Sequence, residues 1–116
     1  MDTGSYEIKH DRSTYRFPSA RVGVHLSGTS RAIRIQPPVV LNTYKHPFLQ
    51  SHTHCQRICL GQFDISTFGT LALEERIVAI VSKGAEVLKF GYRQTARPYR
   101  FLTSPEFDEY RAGGRR

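Results

Sequence analysis

Three histidines and both cysteines of the chain fall within 14 residues: His46, His52, His54, Cys55 and Cys59. Three chemistries compete for this set. A cysteine thiolate is a strong nucleophile when it is partly exposed in a favourable electrostatic setting. Cys59 follows Arg57 and precedes Leu60-Gly61, where a glycine lets the chain turn away and leaves the thiol at a rim. Nearby imidazoles can accept or donate its protons. Zinc takes Cys and neutral His as ligands, four at a structural site. His52, His54, Cys55 and Cys59 are of the right types, but no CxxC and no second ligand pair is present. The third reading is structural, since free cysteines often pack as small hydrophobes. We expect no bound metal and no cofactor.

Cys55 and Cys59 are four positions apart. Along a strand that separation is about 13 Å, whereas a disulfide needs Cα atoms within about 7 Å. The two are therefore read as reduced thiols of a reducing compartment. Met1–His10 is polar and has neither signal-peptide nor transit-peptide character. No apolar run nears the length needed to span a bilayer. A cytoplasmic location without membrane association is expected.

The formal charge of +7 points to an acidic partner. The arginines are scattered over both ends of the chain, with no run of five or six Lys/Arg. Tyr92–Phe101 mixes arginines with aromatics that can stack on bases. Without a dense basic stripe, however, nucleic acid is the less favoured partner.

The elements that must position these groups are legible from periodicity. Tyr6 and Ile8 alternate weakly. Val22, Val24 and Leu26 alternate at period two. After the turn signal Ser27-Gly28-Thr29-Ser30, Ile33 and Ile35 alternate again. Val22–Leu26 and Ala32–Ile35 are thus predicted to pair as an antiparallel hairpin. Pro37-Pro38 breaks the ladder, and Val39–Leu41 is a short third strand. Residues 45–69 have no helical period, and a short strand is placed at Arg57–Leu60. The segment is apolar enough to be an ordered functional loop. A helix is predicted from Leu71 to about Phe90, its core stripe being Leu73, Ile77, Ile80, Val81 and Leu88. Thr70 is the expected cap and Gly91 the expected stop. Ser104-Pro105 opens a short second helix over Glu106–Tyr110. The prediction is one α+β domain over residues 1–110, an antiparallel β-meander packed on a helix, followed by a flexible basic tail at 111–116.

The order of these features resembles the ubiquitin-conjugating enzymes. A strand hairpin leads into Pro37-Pro38-Val39, then Thr43, His46-Pro47, Ile58-Cys59-Leu60-Gly61 and a long helix. The likeness is greater to divergent prokaryotic ubiquitin-conjugating-like proteins, in which HP is followed by other residues and the cysteine segment reads ICLG. It spans Val22–Phe90, about 60% of the chain. The resemblance implies a ubiquitin-conjugating-like core, here without the usual N-terminal helix in Met1–Ser13. It implies that Cys59 accepts a ubiquitin-like modifier as a thioester and passes it to an amine. The partners would be the modifier, its activating enzyme and a protein amine acceptor. His46 and Pro47 would shape the adjoining loop. The family's Asn, a donor to the oxyanion, is replaced by Phe48, and His52 or His54 would supply the donor or base. The alternative is a non-catalytic module of the same fold that binds a ubiquitin-like protein or serves as a scaffold.

Overall fold

Pairing begins near the N-terminus. In the computed structural model, which describes residues 1–10, 12–29, 31–49, 55–60, 63–91, 102 and 105–112, β1 (Tyr6–His10) and β2 (Ser13–Phe17) form an antiparallel hairpin. Alternation turns Tyr6, Ile8, Tyr15 and Phe17 into the core. Glu7 and Arg16 face outward and pair at 3.0 Å. Met1–Ser5 forms no helix.

The predicted Val22–Leu26/Ala32–Ile35 hairpin is antiparallel but breaks into two blocks. β3 (Val22–Gly23) pairs with β6 (Val39–Val40), while β4 (Leu26–Thr29) pairs with β5 (Ala32–Ile35). Between the blocks, Val24 and His25 oppose Gln36, Pro37 and Pro38, one residue more. Neither proline has an N–H for the ladder, and the extra residue acts as a bulge that shifts the register by one. Gln36 reaches across the break, its N–H donating to the His25 carbonyl at 2.9 Å and its Nε2 to Ser27 Oγ at 2.8 Å. Val22 and Val40 are buried below it, whereas β4 is exposed along its whole length.

β6 is the centre of a three-stranded sheet, flanked by β3 and by β7 (Gln56–Arg57). β7 realises part of the strand predicted at Arg57–Leu60, and Ile58 continues it as a single bridge to Leu49.

α1 (Leu73–Phe90) packs on these sheets through Ile80, Val81, Gly84, Ala85 and Leu88. It starts later than Thr70 would cap it. The Gly69 and Leu71 N–H groups close a preceding 3-10 turn (Ile65–Phe68) on the Ser66 and Phe68 carbonyls. The N-cap is Ala72, which has no side-chain acceptor. Its own N–H donates instead to Glu75 Oε1 at 3.4 Å, half of a capping box. A 3-10 helix over Pro105–Tyr110 buries Phe107 beside Phe17, ring centroids 6.5 Å apart. Hydrogen bonds at this end of the chain continue to Ala112. Arg111 donates to Asp108 at 2.6 Å, and the Ala112 N–H to the Thr14 carbonyl at 2.7 Å. The rest of the predicted tail, residues 113–116, lies outside the described residues, as does the aromatic-basic stretch at residues 92–101 apart from its neighbour Leu102.

The architecture is α+β, with antiparallel sheets and one main helix. Among the described residues no helix is long and apolar enough to cross a membrane.

Candidate thiol site

Cys59 is held by backbone bonds on both sides. The Ile58 N–H donates to the Pro38 carbonyl at 3.0 Å, and the Cys59 N–H to the Phe48 carbonyl at 3.1 Å. The thiol segment therefore runs between the Pro37-Pro38 break and the His46–Leu49 turn, which closes through Leu49 N–H to the His46 carbonyl at 3.0 Å. Ile58 points into the core, 2% exposed. A Cβ added to Gly84 would lie 2.9 Å from Pro38 Cβ and 3.1 Å from Ile58 Cδ1. Glycine at this point of α1 thus sets how closely the helix approaches the segment carrying Cys59.

Alternation places Arg57 and Cys59 outward from that buried Ile58. Both line an open groove of about 400 Å³, together with Pro37, Leu60, Phe63 and Asp64. Cys59 is a free, exposed thiol. The Phe63 wall is tied to α1 by Lys83, whose Nζ lies 4.4 Å from the ring centroid. Asp64 caps the 3-10 turn, its Oδ1 accepting the Ser66 N–H at 2.9 Å. That backbone bond holds its carboxyl below the usual range, so it is ionised at neutral pH.

His46 has a different place from a solvent-exposed acid or base. It is fully buried. Its Nδ1 accepts the Phe48 N–H at 3.0 Å, which leaves Nε2 to carry the proton and donate to the Leu88 carbonyl at 2.9 Å. Burial pushes its pKa down to about 4, against the opposing effect of the Leu88 bond. Phe17 and Phe48 pack about the ring at centroid distances of 5.1 and 5.2 Å. With both nitrogens engaged, His46 is a neutral strut that fixes the loop beside Cys59 and satisfies a carbonyl of α1's last turn. It moves no proton for the thiol.

No family model, curated protein or solved structure matches the chain. What the site can do follows from its geometry. Phe48 stands where the resemblance places a donor, but a Cβ on Gly91 would lie 3.1 Å from Phe48 Cε2, so the ring lies over the helix end. Among the described residues the groove's charged groups are Arg57, a donor to a developing negative charge, and Asp64, an acceptor for an ammonium. In the sequence Arg57 stands out only as a neighbour of Cys59. Asp64 has no functional motif around it, and its one local signal is the side-chain-capped turn Asp64-Ile65-Ser66.

Cys55 is exposed and free, with φ at 57°, and is not among the groove residues. His52 and His54 lie outside the described residues. Among the described residues no three His, Cys, Asp or Glu side chains come close enough to hold a metal.

Proposed function

We propose that the protein is a ubiquitin-conjugating-like thioester carrier with Cys59 as the acceptor. The observation that carries this reading is the exposed Cys59 thiol on a groove rim, beside a loop held rigid by the buried His46. In the reaction the Cys59 thiolate attacks the carbonyl carbon of a modifier thioester on its activating enzyme. The enzyme's thiolate leaves, and the acyl group is now on Cys59 Sγ. An amine then attacks the same carbon, the C–S bond breaks, and an amide and the free Cys59 thiolate result. Arg57 supplies the charge that stabilises the tetrahedral oxyanion, and Asp64 draws the acceptor's ammonium to the groove by charge, the protons that the nitrogen loses on the way to the amide passing to solvent water.

A second reading, a non-catalytic module that holds a ubiquitin-like protein, draws support from Phe48, whose ring has no donor to offer. The two differ in one assay. With a ubiquitin-like modifier, its activating enzyme and ATP, the carrier forms a reductant-sensitive adduct, and Cys59→Ser traps a reductant-resistant oxyester. The binding module forms a complex but neither adduct.

A further inference from the structure

The β4–β5 hairpin is the part of the fold that the thiol site leaves unused. Its register pairs Leu26 with Ile35 and Gly28 with Ile33, so these four residues share one face. Ser27 with Arg34 and Thr29 with Ala32 share the other. The first face is apolar, yet it is not buried. Leu26 is 51% exposed and Ile33 37% exposed, and only Ile35 is half-buried. Among the described residues β4 and β5 pair with no third strand. A two-stranded hairpin with an open apolar face is marginally stable in water and gains from a cover.

Charge says what kind of cover fits. From Arg12 to Phe63 the chain contains no Asp or Glu and seven Lys/Arg, so this stretch carries the whole formal charge of +7. Some of these cations are neutralised in the fold: Arg16 by Glu7, Arg21 by Asp2 and Lys45 by Glu109. Among the described residues Arg31 and Arg34, both exposed, pair with no acid. A second copy of the chain would bring a like-charged hairpin against this one. Nucleic acid would meet aliphatic residues here, with no aromatic on which a base can stack.

We infer that the β4–β5 hairpin docks an acidic protein segment, one whose aliphatic residues cover Leu26, Ile33 and Ile35 while its carboxylates meet Arg31 and Arg34. An extended segment fits best: among the described residues the outer edges of β4 and β5 pair with no further strand, and a strand added there alternates its side chains between the apolar face and the Arg34 face. This surface is separate from Cys59 and does not depend on the thioester reading.

The test uses the full chain, isotope-labelled for NMR, and two short synthetic peptides. One alternates Glu with Val and Leu, and the other has Lys in place of each Glu. The acidic peptide should shift the amide resonances of Leu26–Thr29 and Ala32–Ile35. Its affinity should fall about tenfold on raising salt from about 20 to 150 mM, as the Debye length shortens. Arg31→Glu with Arg34→Glu should weaken binding by about tenfold or more, and Leu26→Ser with Ile33→Ser likewise, each variant retaining the wild-type spectrum outside the hairpin. No hairpin shifts with the acidic peptide, or equal binding of the Lys peptide, would overturn the inference. So would stronger binding of a DNA duplex at the hairpin. A dimer seen in sedimentation equilibrium that Ile33→Ser dissociates would overturn it in favour of self-association.

Discussion

The Nε2–H of His46 donates to the carbonyl of Leu88 at 2.9 Å, joining the loop beside Cys59 to the last turn of α1 across 42 residues of sequence. The bond is wholly buried, and the second ring nitrogen is held by the Phe48 N–H. Loop, helix end and thiol segment are thus joined in one hydrogen-bonded chain, because the Phe48 carbonyl also accepts from the Cys59 N–H.

Stability should depend on pH through this histidine. Its pKa is about 4 in the fold against an ordinary 6.5. Between these values the unfolded chain binds a proton that the folded chain refuses. The contribution is therefore complete above about pH 6.5 and is lost as pH falls towards 4, by roughly 3 kcal/mol at the lower end. Urea unfolding at a series of pH values measures this slope. His46→Gln should flatten it while lowering stability at pH 7 by about 2–3 kcal/mol through loss of a buried bond.

Gly84→Val tests the close approach of helix and thiol segment. The new side chain meets the rigid Pro38 ring and Ile58 Cδ1. Overpacking here should cost about 2 kcal/mol, more than the small gain in helix propensity. Thermal unfolding reads the loss. If Gly84→Val is as stable as wild type, the helix is not held at this distance.

Much of this frame was legible in the sequence, because periodicity is local. The α1 stripe, the Val22–Leu26 and Ala32–Ile35 alternation and the Pro37-Pro38 break can all be read from neighbours a few positions apart. The missing parts depend on distant partners. His46 reads as a loop histidine until Leu88 and Phe17 are brought to it. β2 is hidden in the sequence because Arg12 occupies the left-handed region at φ 67°, where a turn would ordinarily announce itself with Gly or Asn. Gly91 has the reverse history. It reads as a left-handed stop, but its φ is −60° and its value is room for the Phe48 ring.

Phe48→Asn restores the residue type that the resemblance calls for, yet it should not raise the rate of amine transfer from Cys59. The side chain at this position lies against Gly91, over the helix end. The exchange should instead destabilise the fold by about 2 kcal/mol or more as ring contacts are lost. Single-turnover discharge to free lysine, with parallel urea unfolding, separates the two effects. A clear acceleration would show that an Asn here reaches the thioester.

Arg57→Ala and Asp64→Asn should each slow that discharge by about tenfold or more, since each removes one charged group from the groove. Their loading from the activating enzyme should be affected less. Unchanged discharge in both would remove these residues from the transfer step.

Tyr44 donates to the Pro18 carbonyl at 2.5 Å and shares a 2.9 Å hydrogen bond with the Tyr6 hydroxyl. Tyr44→Phe leaves both partners short of a bond inside the core, and should cost about 1–3 kcal/mol. Denaturant midpoints at constant m-value measure it.

The most direct test of the central claim is intact-mass and peptide mapping of the charged protein. After incubation with a ubiquitin-like modifier, its activating enzyme and ATP, one modifier should be attached through a reductant-labile bond at Cys59. The adduct should persist in Cys55→Ala and be absent in Cys59→Ala. An adduct that maps to Cys55, or that survives in Cys59→Ala, would contradict the assignment of Cys59 as the acceptor.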